Sequence, residues 1–530
     1  MNRRQFNAAA LLAAAGVARA GRAQAATRTD NQPAYDAIIY GATLAGIMAA
    51  LRLAKRGMSS LVLEPTGHVG GIVAGGLVKT DIPNDIRALS GLTLSAFFTG
   101  IGVEYGSTTA QYRFEPKVAS RVAVRLLEDA GATVVLNHRI NGSRDVLRQG
   151  GRIAAIMVAG RWTTASFFID ASYEGDLMAA AGVPYRVGRE STDTYDESYA
   201  GYLPAQAFRR NGFQPNTGYP VRDVPVGAAG DADDKVQAYN FRGVLSKNAD
   251  RLPFEKPTGY DPDLFVHMGQ QVAYRGITGL SAIVTETALL PNNKYQTNQG
   301  LFIGFDLPGA SWDYADGSWS RRDEIIGEHV RWHQGQLYWF THEPSLPSSF
   351  RTDSLQFGLP SDEFVDSPYG VGFPHALYIR EGRRMAGHYV LTQQDLLTPN
   401  NTKTTSVCCW KYGMDCHVVQ YYPEDTGTIV GEGTLTGTGG NAPVDLFQIP
   451  AEVLFPARGG IANLAVPVCF SASHVGYLSP RMEPNFSMLG EAAGELAAQS
   501  IRTGRDVQDY DYPQLATALR EFGSTLSVPS

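Results

Sequence analysis

The sequence predicts an α/β fold in which a Rossmann-like dinucleotide-binding domain is interrupted by an inserted α+β domain. A strand, a glycine-rich turn, a helix and a strand ending in an acid follow one another early in the chain. Helical and strand patterns then alternate, and they return near the C-terminus after a stretch rich in Tyr, Trp, Pro, Asn and Asp. The predicted dinucleotide-binding domain therefore comprises residues 33–190 and 446–525, and the substrate domain comprises 191–445.

Composition excludes two classes of protein. The 530 residues carry a formal net charge of -7, and no run of Lys and Arg is interleaved with aromatic residues. Nucleic acid is therefore not an expected partner. Beyond the N-terminal leader, no segment approaches the roughly 20 apolar residues that a transmembrane helix needs. We expect a globular protein without a transmembrane segment.

Residues 1–25 have the pattern of an export signal. An arginine pair precedes a short apolar stretch, and Ala23-Gln24-Ala25 forms a small-residue cleavage site. The stretch Arg3-Arg4-Gln5-Phe6 resembles a twin-arginine signal, whose pathway suits a chain that acquires its cofactor before export. The alternative is a general secretory signal with two chance basic residues. Either pathway predicts a periplasmic or secreted protein.

Four cysteines are too few for a disulfide scaffold in a chain of this length. Cys408 and Cys409 are adjacent, and Cys416 lies close by. Two alternatives stay open for this group: buried unpaired thiols, or a disulfide within it. Because no second ligand pair has zinc spacing, no metal site is expected.

Residues 36–64 form the predicted βαβ unit: an apolar strand, a glycine turn, a helix with an apolar face and a second apolar strand. Gly41 permits the tight turn, and Gly46 allows helix and strand to pack closely. Thr43 is small, and its hydroxyl can donate to a phosphate. Glu64 ends the second strand, where it can accept hydrogen bonds from a ribose.

The elements that follow extend this unit. A second glycine cluster, Gly70-Gly71, lets the backbone pass close to a flat ring or a diphosphate. The alternating pattern predicts that the later strands extend a parallel sheet in the doubly wound sense. The predicted elements are a helix over 115–131, a strand over 132–140, a hairpin at 150–151, a strand over 164–172, a strand over 464–473, and helices over 482–504 and 513–523.

The motifs YGATLAGIMAA, EPTGHVGGIVAGGL, FIDASYEGDLMAAAG and VPVCFSASHVGYLSPRMEPNFSMLGEAAG jointly resemble those of the FAD-dependent oxidoreductase family, within the glutathione-reductase-like flavoprotein superfamily. The resemblance implies FAD as the cofactor, a glutathione-reductase type FAD-binding domain, and a helix N-terminus at residues 471–487 aimed at the flavin. The cofactor-binding residues that it implies are Gly41, Thr43 and Gly46 at the pyrophosphate, Glu64 at the ribose, Gly70 and Gly71 at the pyrophosphate and ribityl chain, and Asp170, Asp176, Ser473 and Met488 at further contacts.

The candidate catalytic residues lie beside this helix N-terminus. His474 is the first candidate for a base, with a structural histidine as the alternative. Arg481 is a candidate to neutralise reduced flavin or to bind an oxyanion; the alternative is a salt bridge to Glu483, which is itself a catalytic candidate. His68, next to the second glycine cluster, is a minor candidate for a covalent flavin link.

Candidate substrate-binding residues are Tyr378, Arg380 and Arg384. Arg380, Arg383 and Arg384 have helical spacing, so the alternative to substrate binding is a solvated helix face or an ion-pair network. Aromatic residues between 312 and 339 predict either a sugar-stacking wall or part of a core.

The function that we predict is an FAD-dependent dehydrogenase or oxidase that transfers a hydride from a small polar substrate, with a carbohydrate derivative as one candidate, to flavin N5. The sequence has no second dinucleotide-binding unit, so a pyridine-nucleotide reductase is disfavoured. Oxygen, a quinone or a small redox protein is the expected electron acceptor. Two other readings stay open: a carbohydrate-active lyase in which the Tyr, His and Arg residues around Tyr378 to Arg384 abstract a proton, and a flavin-binding protein without catalysis.

Overall fold

The computed structural model describes residues 34–79, 81–83, 85–203, 209–211, 227–284, 289–298, 303–399, 401–425, 428–436, 442–443 and 445–528. The predicted export signal lies outside the described residues, so its processing and pathway stay predictions.

The N-terminal part alternates strands and helices as the sequence predicts. Its elements are β1 (Tyr35–Tyr40), α1 (Leu44–Lys55), β2 (Ser60–Leu63), α2 (Gly71–Ala74), a π-helical segment (Thr93–Phe98), α3 (Thr99–Glu104), α4 (Pro116–Asp129), β3 (Thr133–Val135), β4 (Val146–Gln149), β5 (Arg152–Val158), β6 (Arg161–Asp170) and α5 (Asp176–Ala180).

The middle of the chain contains short strand pairs and one long helix. Its elements are β7 (Tyr185–Arg186), α6 (Thr192–Tyr195), β8 (Arg209–Asn211), β9 (Val244–Ser246), α7 (Val266–Arg275), β10 (Leu289–Leu290), β11 (Lys294–Gln296), α8 (Trp319–His342), α9 (Ser348–Ser354), β12 (Arg384–Met385), α10 (Gln393–Leu397), β13 (Ser406–Trp410), β14 (Asp415–Cys416), β15 (Gln420–Asp425), β16 (Thr428–Glu432) and β17 (Leu435–Thr436).

The C-terminal part returns to the first sheet. It contains β18 (Phe447–Pro450), β19 (Leu464–Ala465), α11 (His474–Tyr477), α12 (Glu483–Thr503) and α13 (Tyr512–Arg520). The strand predicted over 464–473 is limited to β19. Pro467 has no backbone N–H to donate to a neighbouring strand, which accounts for the early end.

The main sheet has the strand order β3-β2-β1-β6-β5-β4, and β19 pairs with β6. The strands β1, β2, β3, β6 and β19 pair in parallel. The β4–β5 and β5–β6 pairs are antiparallel. The hairpin predicted at 150–151 is confirmed by the β4–β5 pair. The prediction that the later strands extend a parallel sheet is wrong where this hairpin joins β6, because the connection between β5 and β6 is too short for a parallel crossover. The fold is α/β with a Rossmann-like mixed sheet.

Two glycines of α12 bring this helix against α1. A Cβ on Gly490 would lie 2.1 Å from the Ala45 carbonyl oxygen, and one on Gly494 would lie 2.8 Å from the Ala49 carbonyl oxygen. Both distances are shorter than side chains allow. This close approach brings the N-terminal half of α12 beside the start of α1, the helix that follows the glycine turn.

Candidate functional site

The glycine turn between β1 and α1 has room only for glycine at two positions. Gly41 has a φ of +102°, and a Cβ there would lie 2.6 Å from the Ser172 backbone nitrogen. A Cβ on Gly46 would lie 2.0 Å from the Gly41 carbonyl oxygen and 3.3 Å from the Ala171 Cβ. The turn is thus packed tightly against the chain that follows β6.

Thr43 caps the N-terminus of α1. Its hydroxyl accepts a hydrogen bond from the Gly46 N–H at 3.3 Å and donates one to the Ala171 carbonyl oxygen at 2.7 Å. The sequence predicted that the Thr43 hydroxyl donates to a phosphate. Its proton is instead donated to the Ala171 carbonyl oxygen. The capacity to bind an anion at this end of α1 lies in its first-turn backbone N–H groups and the positive end of the helix dipole.

Glu64 follows β2 and holds the turn. Its carboxylate accepts hydrogen bonds from the Ala42 N–H at 2.7 Å and from the N–H and hydroxyl of Thr66 at 2.9 and 2.7 Å. Burial raises the pKa of Glu64 to about 7, although these hydrogen bonds favour the ionised form. Because a carboxylate can accept about four hydrogen bonds, Glu64 keeps capacity for a ribose hydroxyl.

Gly70 and Gly71 pass beside this turn with φ of +97° and +54°. A Cβ on Gly71 would lie 2.4 Å from the Tyr173 hydroxyl oxygen and 3.2 Å from the Thr43 Cα. The two glycine clusters predicted from the sequence are therefore direct neighbours. His68, just before them, stacks on His375 with ring centroids 3.8 Å apart; a covalent flavin link at His68 stays a prediction.

The N-terminus of α12 is joined to the same segment by hydrogen bonds. Its N-cap residue, Met482, makes no side-chain capping bond. The Tyr173 hydroxyl accepts a hydrogen bond from the Ile72 N–H at 3.0 Å and donates one to Glu483 Oε1 at 2.8 Å. Among the described residues, the buried Oε2 of Glu483 has no hydrogen-bond partner. Burial raises the pKa of Glu483 to about 7.

We expect Glu483→Gln to alter the pH dependence of stability. The pKa of Glu483 is raised from an ordinary value of 4.5 to about 7, so the unfolded chain loses this proton at lower pH than the folded chain. The group therefore lowers stability as pH rises from about 4.5 to 7, and glutamine removes this effect. Urea unfolding at pH 5 and pH 8 should show Glu483→Gln gaining stability relative to wild type at the higher pH. A constant difference between the two proteins would contradict this assignment.

Asp170 and Asp176 hold the loop after β6. Asp170 accepts hydrogen bonds from the N–H and hydroxyl of Ser172 at 3.1 and 2.7 Å. Asp176 forms a bidentate ion pair with Arg322 at 2.7 and 2.8 Å and a second pair with Arg383 at 2.7 Å. Direct contact of either carboxylate with a dinucleotide stays a prediction.

Ser473 and Met488 are both buried. Ser473 caps α11 and donates a hydrogen bond to Glu197 at 2.6 Å. Met488 lies within α12, where its sulfur accepts from the Ser90 hydroxyl at 3.6 Å. Their predicted contacts with the cofactor stay predictions.

His474 forms a buried pair with Glu381. The distance from His474 Nδ1 to Glu381 Oε1 is 2.7 Å, and His474 Nε2 lies 4.0 Å from the Cys416 sulfur. Burial opposes ionisation of Glu381, but His474 and Arg384 outweigh it and hold the pKa of the carboxyl at about 2. The partner of His474 is thus a buried carboxylate, the arrangement that orients a histidine base.

Arg481 pairs with an acid other than the one predicted. Its guanidinium lies 2.9 Å from Asp415 Oδ2 and donates to the Asp415 carbonyl oxygen, and Nη1 lies 3.4 Å from the Tyr378 hydroxyl. The alternative of a salt bridge to Glu483 is wrong. Glu483 instead accepts a hydrogen bond from the Tyr173 hydroxyl, whereas Arg481 contacts Asp415 and Tyr378.

The arginines near residue 380 do not lie on a helix. The chain forms no helix there, and Arg384 belongs to β12, which pairs with β7. Arg380 pairs with Asp306 at 3.0 Å, and Arg384 pairs with Glu381 and, at 2.9 Å, with Glu190. The helical spacing was therefore misleading, and the ion-pair network is the better description. Arg384 pairs with Glu381, which also binds His474. The Arg380 guanidinium instead lies over the Tyr378 ring.

The sequence did not reveal that His417 lies between two aspartates. Its Nδ1 is 2.6 Å from Asp306 Oδ2, and its Nε2 is 3.4 Å from Asp415 Oδ2. Asp306 and Asp415 in turn bind Arg380 and Arg481. Asp306, Arg380 and Arg481 lie far along the chain from the Asp415–His417 segment, so no local spacing could have indicated the cluster.

Three acids lie together at Glu115, Asp362 and Glu363. The ammonium group of Lys294 lies 2.6 Å from Glu115 and Glu363 and 2.8 Å from Asp362. A lysine thus compensates these charges at the position that a metal ion would otherwise take.

The cysteines and tryptophans fill the interior. All four cysteines, Cys408, Cys409, Cys416 and Cys469, are buried and free of disulfides. Trp332 and Trp339, within the predicted aromatic wall, are buried in a hydrophobic cluster with Phe265 and Phe340. These two tryptophans therefore form core rather than a sugar-stacking surface.

The geometry defines a dinucleotide-binding α/β protein. A turn with room only for glycine, the positive end of α1 and an acid after β2 are the parts that such a site requires. The tight approach of Gly70-Gly71 adds a second backbone surface, and the uncapped start of α12 adds a second positive helix end. These residues fit FAD. No described helix is both long and apolar enough to cross a bilayer.

The chain belongs to the family described as FAD dependent oxidoreductase, whose model matches residues 36–519. The prediction of an FAD-dependent oxidoreductase, and of FAD as its cofactor, is thereby confirmed. Among curated proteins, none matches the chain significantly.

Parts of solved structures are similar to the chain. The structure of Thermovibrio ammonificans THI4 is 21% identical over 29% of this chain and 66% of its own, with a TM-score of 0.22. The L-proline dehydrogenase from P. horikoshii is 14% identical over 30% of this chain and 59% of its own, with a TM-score of 0.24. OTEMO in complex with FAD and NADP is 19% identical over 27% of this chain and 26% of its own, with a TM-score of 0.19. Each match thus spans less than two thirds of the other chain.

Proposed function

We propose that this protein is an exported FAD-dependent dehydrogenase or oxidase that removes a hydride from a small polar substrate. The buried His474–Glu381 pair, with 2.7 Å between Nδ1 and Oε1, is the observation that carries this proposal. When bound, FAD supplies the hydride acceptor at N5. We propose a glutathione-reductase type domain formed by residues 33–190 and 446–525 around a substrate domain at 191–445.

The residues of the glycine turn would hold the dinucleotide. The first-turn N–H groups of α1 would bind the pyrophosphate, and Glu64 would accept from the ribose. The start of α12, next to Glu483, would place a positive helix end at the flavin. Gly70 and Gly71 let the backbone approach without side-chain interference.

His474 is the proposed base. Because Nδ1 bonds Glu381, Nε2 is the atom that takes a proton from a substrate hydroxyl or amine. Glu381 is a positioning residue that orients the ring and stabilises its protonated form. Arg481 and Tyr378, joined at 3.4 Å, are proposed to orient the substrate.

Carbohydrate derivatives are the first substrate class to test. The proposed electron acceptor is oxygen, a quinone or a small redox protein, since the chain contains a single dinucleotide-binding unit in its described residues.

The test is the visible spectrum of the purified mature protein. We expect a flavin spectrum that bleaches when sugars, sugar acids, alcohols or amines are added without oxygen. Colour released on denaturation indicates non-covalent FAD, and colour kept in the precipitate indicates a covalent link at His68. A protein that stays colourless after reconstitution with FAD would overturn the proposal and favour the lyase.

Export is proposed from the arginine pair. Replacing Arg3 and Arg4 by lysine should leave the precursor in the cytoplasm of a twin-arginine-competent bacterial host, whereas a secretory signal should tolerate the change. Immunoblots of cell fractions measure the outcome. Export of the lysine variant at the wild-type level would indicate the general secretory pathway.

A further inference from the structure

We propose that the substrate is an organic oxyanion, a carboxylate or a phosphate ester, whose charged group binds Arg242 beside Tyr378, with Arg380 and Arg481 on the other sides of that ring. The inference rests on the proposed function, and it names the substrate class for that site.

Three guanidinium groups converge on Tyr378. The Arg380 and Arg242 guanidinium carbons lie 4.8 and 5.8 Å from the ring centroid. Arg481 Nη1 lies 3.4 Å from the ring hydroxyl. All four side chains are buried. Three cations around one ring make an expensive arrangement unless anions compensate them.

Aspartates of the protein compensate the charges of two of these three arginines. Arg380 pairs with Asp306 at 3.0 Å, and Arg481 pairs with Asp415 at 2.9 Å. Among the described residues, no carboxylate forms a salt bridge with Arg242, whose hydrogen-bond partner is the neutral side chain of Asn298.

Arg242 remains a cation in this setting. Burial lowers its pKa, while Asp81 raises it from beyond salt-bridge distance. A guanidinium stays protonated in proteins even so. Arg242 is therefore a buried positive charge without a paired anion among the described residues.

Two buried N–H donors of Arg242 and Arg380 also favour an anion beside Tyr378. Within the described part of the chain, Nε of Arg242 and Nε of Arg380 are buried and have no hydrogen-bond partner. A buried donor without an acceptor is destabilising, and an oxyanion accepts such donors with charge-assisted bonds.

The cluster lies between the two segments assigned to the flavin. A Cβ on Gly76, in the second glycine segment, would lie 1.9 Å from the Arg242 carbonyl oxygen. Arg481 precedes Glu483, the first residue of α12, by two positions. An anion held at Arg242 would thus be presented beside the flavin rather than at a remote surface.

The experiment measures the Tm of the FAD-loaded protein with D-glucuronate, D-glucose 6-phosphate or D-glucose, and with L-lactate or 1,2-propanediol, at matched sodium chloride. We expect at least one anion to raise Tm by about 2–3 °C at ~100 times its Kd, with no rise from its neutral counterpart. The carboxylate and phosphate arms distinguish the two oxyanions. No rise with any anion, or an equal rise with the neutral compounds, would overturn the proposal.

Substitutions of single arginines test whether the anion binds at Arg242. Arg242→Met should weaken anion binding ~10-fold or more, whereas Arg331→Met, at an exposed position of α8, should bind as wild type. Arg242→Lys keeps the charge, and it should bind with intermediate affinity if the methionine variant does not fold. Unchanged binding in Arg242→Met or Arg242→Lys, or loss of FAD without loss of anion binding, would overturn the proposal.

Anaerobic bleaching separates this inference from the proposed function. Bleaching by neutral alcohols without stabilisation by any anion would overturn the oxyanion site and leave the oxidoreductase proposal intact. Stabilisation by an anion, lost in Arg242→Met, would support the site even if no compound bleached the flavin.

Discussion

Replacing Gly46 by alanine is expected to yield a protein that retains little or no FAD. The added Cβ would lie 2.0 Å from the Gly41 carbonyl oxygen, so the turn must open and α1 must move away from β6. Since the pyrophosphate is bound by this turn and the first turn of α1, even a small displacement removes several hydrogen bonds together. The overpacking should also lower the free energy of unfolding by about 1–3 kcal/mol.

The measurement is flavin absorbance per mole of purified protein, together with urea unfolding. Gly327→Ala is the matched control, because Gly327 lies inside α8 and the nearest atom to its added Cβ is the flexible Arg331 guanidinium at 3.4 Å. Alanine in a helix interior should stabilise by about 0.5–1 kcal/mol relative to glycine. A Gly46→Ala protein with a full complement of FAD would refute the assigned turn.

The Glu381→Gln variant is expected to lose both stability and turnover. The amide keeps the shape of the side chain but puts an N–H₂ donor among donors from His474, Arg384 and Gln237. Breaking a buried ion pair in this way costs about 3–5 kcal/mol. If His474 is the base, kcat should fall by about 100-fold to 10,000-fold.

Acidification provides a second readout for Glu381. Its pKa is lowered from an ordinary value of 4.5 to about 2, so its stabilising effect is complete above about pH 4.5 and is lost as pH falls through about 2. The stability difference between wild type and Glu381→Gln should therefore shrink in strong acid. Glu324→Gln is the control, since Glu324 is exposed and pairs only with Arg321 among the described residues; it should change stability by less than about 1 kcal/mol. Equal effects of the two substitutions would contradict the network.

Local pattern explains why the first part of the site could be predicted. Gly41, Gly46 and Glu64 belong to one short βαβ unit, in which chain order nearly dictates spatial order. The same reasoning failed at Arg380 and Arg384. Their spacing matches a helix, but the segment is not helical, and both arginines form ion pairs with residues distant in the chain.

The α/β class, the glycine turn and the helix over Glu483–Thr503 were predictable without a structure, because each depends on residues close together in the chain, and several such local motifs together indicated the family. The partners of His474 and Arg481 and the unpaired charge of Arg242 could be seen only in the tertiary structure. Those features join residues as much as 284 positions apart, such as His474 with Glu190. Their contacts are selected by burial and charge compensation across the whole fold, which no local pattern records.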